Sequence, residues 1–173
     1  PLAGETEGVG INVVRVVAHI SALFSPYRRP PGAISVCADA DAVGTWDGTF
    51  LCFGSSDSNA KTLEVEQLPE QHFYQMPFGS GGVRAFRVDG QSFLHTGRHD
   101  VGVVLRLRNP YHPEHFLFVC AGLGAWGTTA ATYYLRRRWV DLYKKYGGSD
   151  FLLVIRADVG SDESARIVYA SQT

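Results

Sequence analysis

Two glycine-bearing corners hold the residue types best suited to meet a ligand. The first, FGSSDSN at 53–59, ends the apolar run TFLCF and gathers Gly54, Ser55, Ser56, Asp57, Ser58 and Asn59 into one corner. The second, CAGLGAWGTTAA at 120–131, gives Gly122, Gly124 and Gly127 the spacing G-x-G-x-x-G, with Thr128 and Thr129 behind them. Where a strand hands over to a helix, the first helical turn carries N–H groups without carbonyl partners at the positive end of the helix dipole. Such a turn attracts an anion, typically phosphate. Glycine lets a ligand approach the backbone closely, and hydroxyl side chains add donors. On this chemistry both corners line one cleft: their amides hold phosphate while Asp57 or Asn59 bonds a ribose or a base. The same residue types also serve as plain turns and helix caps, with Asp57 or Ser58 capping the helix that follows.

Other chemistry-bearing residues are sparser. His95, His99 and Asp100 occupy a turn, HTGRHDVG, and His112 and His115 flank Pro113–Glu114. Neither group has a standard metal-ligand spacing and no cysteine joins them, so no metal or cofactor is expected. FGSSDS is not a G-x-S-x-G nucleophile elbow. Asp57 and Asp100 are candidates for a general base or a ribose-binding acid. The acid that usually completes a dinucleotide motif has no clean counterpart, because Asp141 falls inside a helix and Asp150 begins a strand. Arg98, Arg106 and Arg108 could clamp phosphate, but alternation along 103–109 predicts one solvated face for Arg106 and Arg108.

These corners depend on the elements around them. Residues 9–24 carry Val13, Val17, Ile20 and Phe24 at helical spacing, and Pro26, Pro30 and Pro31 end that helix. AISVCA (33–38) and TFLCFG (49–54) are expected to be short buried strands, and 57–68 a helix. HFYQM, VRAFRV, SFLHT and VGVVLRLRN, between 72 and 109, form a meander or hairpins with turns at 79–82 and at Asp89–Gly90. HFLFVCAG (115–122) reads as a buried strand. A long helix is expected from about Thr128 to Tyr146, with Ala131, Leu135, Leu142 and Tyr146 on one face and Gly147–Gly148 as its stop. Strands at 150–159 and 165–170 close the chain. The alternation predicts an α/β fold with a three-layer, Rossmann-like sheet, the meander being an insertion or an antiparallel edge.

Composition sets the class. The 173 residues are 45% hydrophobic and 19% charged with a net charge of −1, which suits one ordinary folded domain over 1–173. That charge gives no general attraction to nucleic acid or anionic membrane, and the basic stretch LRRRW at 135–139 fits a helix end. Cys37, Cys52 and Cys120 sit in apolar runs and read as core residues of a reducing, cytoplasmic setting. The start at Pro1 suggests a domain taken from a longer protein.

FLCFGSSDSN and GLGAWGT resemble the Rossmann-like LOG/SLOG superfamily, which includes nucleoside-monophosphate phosphoribohydrolases and nucleotide-sensing domains of bacterial defence systems. Gly124, Gly127 and Thr128 echo its phosphate-binding G-G-x-G-T-x-x-E loop, with Ala131 at the glutamate position. The arrangement over 49–170 is also similar to a class of modules joined to peptidase, NTPase or helix-turn-helix partners in bacterial signalling and conflict proteins. The resemblance implies a nucleotide- or nucleotide-sugar-binding sensor or effector module. Two other expectations stand beside it. One is an enzyme cleaving an N-glycosidic bond of NAD or a nucleotide, assisted by Asp57, Glu64 or Asp100. The other is an assembly domain that meets further copies of itself, or other domains of the same chain, through Tyr111 and Trp126.

Overall fold

The computed structural model describes residues 11–27, 35–76 and 85–172. Its core is a five-stranded sheet in the order β1-β5-β4-β6-β7. These are β1 (Phe50–Phe53), β4 (His99–Arg108), β5 (Phe116–Gly122), β6 (Phe151–Asp158) and β7 (Ser161–Gln172), and β2 (Ala85–Val88) and β3 (Gln91–Leu94) form a separate hairpin. The helices are α1 (Ile11–Phe24), α2 (Asp39–Ala42), α3 (Ala60–Glu66) and α4 (Ala125–Tyr146).

The α/β class is as expected, but among the described residues only the β1–β5 pairing is parallel; β4 runs antiparallel to both β5 and β6, and β6 to β7. The connections explain this. Seven residues (109–115) join β4 to β5 and two (159–160) join β6 to β7, far short of the dozen or more that a parallel crossover needs. β5, α4 and β6 still form a crossover unit, because β5 and β6 share a direction with β4 inserted between them. The segment expected as an insertion or edge therefore supplies the central strand. Asp89 (φ 46°) and Gly90 (φ 75°) make the β2–β3 turn, matching the expected hairpin.

Both faces of the sheet are covered, and alternation sorts the side chains. Val101, Val103, Leu105 and Leu107 of β4, with Leu117, Val119, Leu152 and Val154, pack on Phe86, Val88, Phe93, Phe73 and Tyr74. Val104, Cys120, Leu153, Ile155 and Ala157 face Ala130, Ala131, Leu135, Leu142 and Tyr146, the predicted α4 stripe with Ala130 added.

Several expectations are corrected. Residues 35–38 are not a strand but lead into α2, and 33–34 lie outside the described residues. α1 buries Val16 and leaves Val13 and Val17 exposed, so its inward stripe differs from the one expected. Cys37 is exposed, whereas Cys52 and Cys120 are buried. Arg106 is 1% exposed. It donates to the Ser149 carbonyl between the rings of Phe116 and Phe151. A central strand has no solvated face, which is why the alternation rule misplaced it.

Candidate functional site

The parallel pairing sets Phe53 opposite Cys120, so the corners after β1 and β5 leave the sheet side by side, and Gly54 N donates to Cys120 O at 3.0 Å. Because β4 is antiparallel to β5, its amino end reaches the same rim, with Gly102 opposite Gly122. The carboxyl end of β6 and the amino end of β7 complete that rim. The residues of both glycine corners, with His95, His99 and Asp100, thus share one edge of the sheet, whereas Arg108, Tyr111, His112 and His115 lie at the opposite edge, where β4 turns into β5.

The first corner is closed largely on itself. Gly54 takes φ +100°, a backbone conformation that calls for glycine, and a Cβ there would stand 2.9 Å from the Ser58 hydroxyl. The Ser55 carbonyl accepts from Ser58 N and Asn59 N, both at 2.9 Å, and the buried Ser55 hydroxyl donates to Asp57. Asn59, not Asp57 or Ser58, caps α3: its Oδ1 accepts from Thr62 N at 2.8 Å and its Nδ2 donates to Phe53 O at 3.0 Å. Ala60 N donates to the Asp39 carboxylate at 2.6 Å. Ser56 is buried beside Glu66, whose carboxyl is raised by burial against the pull of the Ser56 and Tyr74 hydroxyls. Asp57 and Ser58 are exposed.

In the second corner the glycines serve packing. A Cβ on Gly122 would stand 2.2 Å from Thr128 N, and one on Gly127 would stand 2.3 Å from Val101 O. A Cβ on Gly124 would stand 2.6 Å from Asp100 Oδ2. The G-x-G-x-x-G spacing therefore lets the start of α4 lie on the backbones of β4 and β5 and leaves room for one carboxylate. That carboxylate, 1% exposed, accepts from Gly127 N at 2.7 Å and Val101 N at 2.8 Å. Asp100 thus occupies the place at the helix start that a phosphate would otherwise take. Thr128 and Thr129 are not caps, since Gly124 holds that position; Thr129 Oγ1 donates back to Ala125 O at 2.8 Å.

The sequence groups His95, His99 and Asp100 in one turn without a metal spacing, and the fold makes a pair of two of them, His95 Nδ1 standing 3.1 Å from Asp100 Oδ1. The visible signal was a histidine and an aspartate flanking a tight turn just before a buried strand. Along the same rim His99 stands 2.8 Å from Asp158, and His19 stands 2.7 Å from Asp162. Glu64 is drawn away to Lys61 Nζ (2.7 Å) and Gly44 N (2.8 Å). Trp126 is half-buried under Arg15, whereas Tyr111 is 60% exposed and leans on Trp46.

Arg15 and His19 of α1 both hold Asp162 near the start of β7. Burial alone would raise the Asp162 carboxyl, but the hydrogen bonds from Arg15 and His19 outweigh it and bring it down to about 2. At the far end of the sheet a cavity of about 670 Å³ opens among Glu70, Arg108, Asn109 and Asp150. Among the described residues no cluster of three or more His, Cys, Asp and Glu is placed to hold a metal ion, and no helix is long and apolar enough to cross a membrane. Comparison with protein-family models, with curated proteins and with solved structures gave no match.

Proposed function

We propose that the β1–β5–β4 rim binds a nucleotide or nucleotide sugar, as the sensor or effector module of a signalling or defence protein. The observation that carries this reading is the exit of two glycine corners side by side from a parallel strand pair. At such carboxyl ends open α/β sheets take their ligands. The resemblance to nucleotide-sensing domains supplies the ligand class. Asp39 and Asp100 already hold amides of the first turns of α3 and α4, so the ligand is held by its sugar and base rather than by phosphate. Asp57 and His95, both exposed, are the acceptors for its hydroxyl and amine hydrogens. β5 separates β1 from β4, which puts their ends about 10 Å apart at the usual strand spacing, a span suited to a nucleoside.

A thermal-shift panel of nucleosides, nucleotides and nucleotide sugars tests this. A ligand at 100 times its Kd stabilises by about 2.7 kcal/mol. A nucleoside and its monophosphate should give similar shifts, and Asp57→Ala should reduce both. A panel without any shift refutes the reading, and a shift that demands phosphate refutes this mode of binding.

A second reading, assembly, is favoured by one observation: Val13, Val14 and Val17 of α1 are 55%, 50% and 49% exposed. It predicts a dimer in sedimentation that Val14→Asp dissociates, and a monomeric wild type removes it.

A further inference from the structure

His95 follows directly on β3 and precedes a turn that fixes its backbone. Thr96 N donates to His99 O at 2.8 Å, and His99 N donates to Thr96 Oγ1 at 2.9 Å. Val159 N donates to Arg98 O at 2.9 Å, tying the turn to the β6–β7 hairpin. The imidazole leans on a carboxylate that is itself immobile: Asp100 is buried under α4 and receives backbone N–H groups from two elements. A carboxylate accepts and does not donate, so the neutral imidazole turns its protonated Nδ1 toward Asp100. Nε2 then carries the lone pair, on a side chain that is 46% exposed at the rim.

We propose that His95 is a general base that activates water at this rim, that Asp100 is its positioning residue, and that the substrate is an acyl ester. This goes beyond ligand binding and does not require a nucleotide. Nε2 takes a proton from water as the water oxygen bonds to the acyl carbon, and the carbonyl π pair moves onto its oxygen. When the C=O re-forms, the ester C–O bond breaks, its electron pair leaving with the alkoxide, and the alkoxide takes the proton back from the imidazolium. An acid and an alcohol result, and nothing is oxidised or reduced. The buried carboxylate stabilises the imidazolium formed midway and keeps the ring in the productive tautomer. Charge selects the electrophile. The Asp100 carboxylate already takes the amides at the start of α4 that would meet the charge of an attacked phosphate ester, whereas a neutral carbonyl does not need them.

The experiment uses the whole chain with p-nitrophenyl acetate as the probe ester. Nitrogen-15 NMR of the wild type should show His95 with its proton on Nδ1. His95→Ala should lower protein-catalysed hydrolysis at least tenfold, although the other five of the six histidines remain. Asp100→Asn should move the proton to Nε2 and lower the rate alongside it. Should that variant fail to fold, the wild-type spectrum and His95→Ala decide. A wild-type His95 protonated on Nε2, a rate unchanged in His95→Ala, or hydrolysis no faster than that of equimolar imidazole would each overturn the proposal. Because no nucleotide is involved, this result stands apart from the thermal-shift panel.

Discussion

Replacing Gly127 by alanine sets two effects of opposite sign against each other. Gly127 lies in the first turn of α4, and inside a helix alanine is better than glycine by about 1 kcal/mol. Against that, the new methyl would stand 2.3 Å from Val101 O, 2.8 Å from Val101 C and 3.0 Å from Gly122 Cα, where ordinary contact begins near 3.4 Å. All three atoms are backbone, two of them in the central strand, so no rotamer change relieves the clash. α4 must move out by about 1 Å, and such overpacking costs about 1–3 kcal/mol. The same movement stretches the Gly127 N–H bond to the buried Asp100 carboxylate, and losing a hydrogen bond to a charged group costs about 1.5–3 kcal/mol. The packing terms win, for a net destabilisation of about 1.5–5 kcal/mol. Urea unfolding followed by tryptophan fluorescence reads this as a lower midpoint at unchanged slope, and in a chain of this size Tm falls by roughly 2–4 °C per kcal/mol. Gly48→Ala is the control, since a Cβ there meets nothing within 4 Å. A Gly127→Ala protein as stable as the wild type, or more so, would refute the packing account and return the glycine spacing to ligand approach.

Two further outcomes follow from the charges and thiols. Asp162 is held at about 2 in the folded protein, below its ordinary 3.8. A depressed carboxylate stabilises fully above its unfolded value, and that stability is lost as pH falls through the folded one. The loss of stability between about pH 4 and 2 should therefore be smaller in Asp162→Asn, which starts less stable at neutral pH, than in the wild type, and an equal loss in the two would refute the assignment. Burial pushes the Cys52 and Cys120 thiols up to about 12, while Cys37 is exposed. Iodoacetamide at pH 8 should therefore modify Cys37 alone in the native protein and all three cysteines in denaturant, as read by peptide mass. Native labelling of Cys120 would contradict its placement beneath α4.

Much of the scaffold was legible because it is local. The apolar runs of β1, β5 and β6, the Asp89–Gly90 turn and the inward stripe of α4 follow from periodicity and turn chemistry alone. Failures arose where a neighbour decided. Arg106 alternates like a surface residue, but β4 lies at the centre of the sheet. Asp57 and Ser58 are good caps, yet the chain turns so that Asn59 reaches Thr62 N. Val13 and Val17 have the right spacing, but α1 is rolled so that Arg15 and His19 reach Asp162.

By itself the sequence determined that two glycine-rich corners follow apolar strands and precede helices, because glycine, hydroxyl and cap preferences act within a few residues. Only the tertiary structure decided what those glycines are for. β4 enters between β5 and β6 and brings Asp100 under the first turn of α4, filling the position where an anion would otherwise bind. The same insertion turns His95 toward that carboxylate. A contact between residues 27 apart, such as that of Asp100 with Gly127, depends on strand order, and strand order is set by the summed burial of both sheet faces rather than by any short stretch of chain.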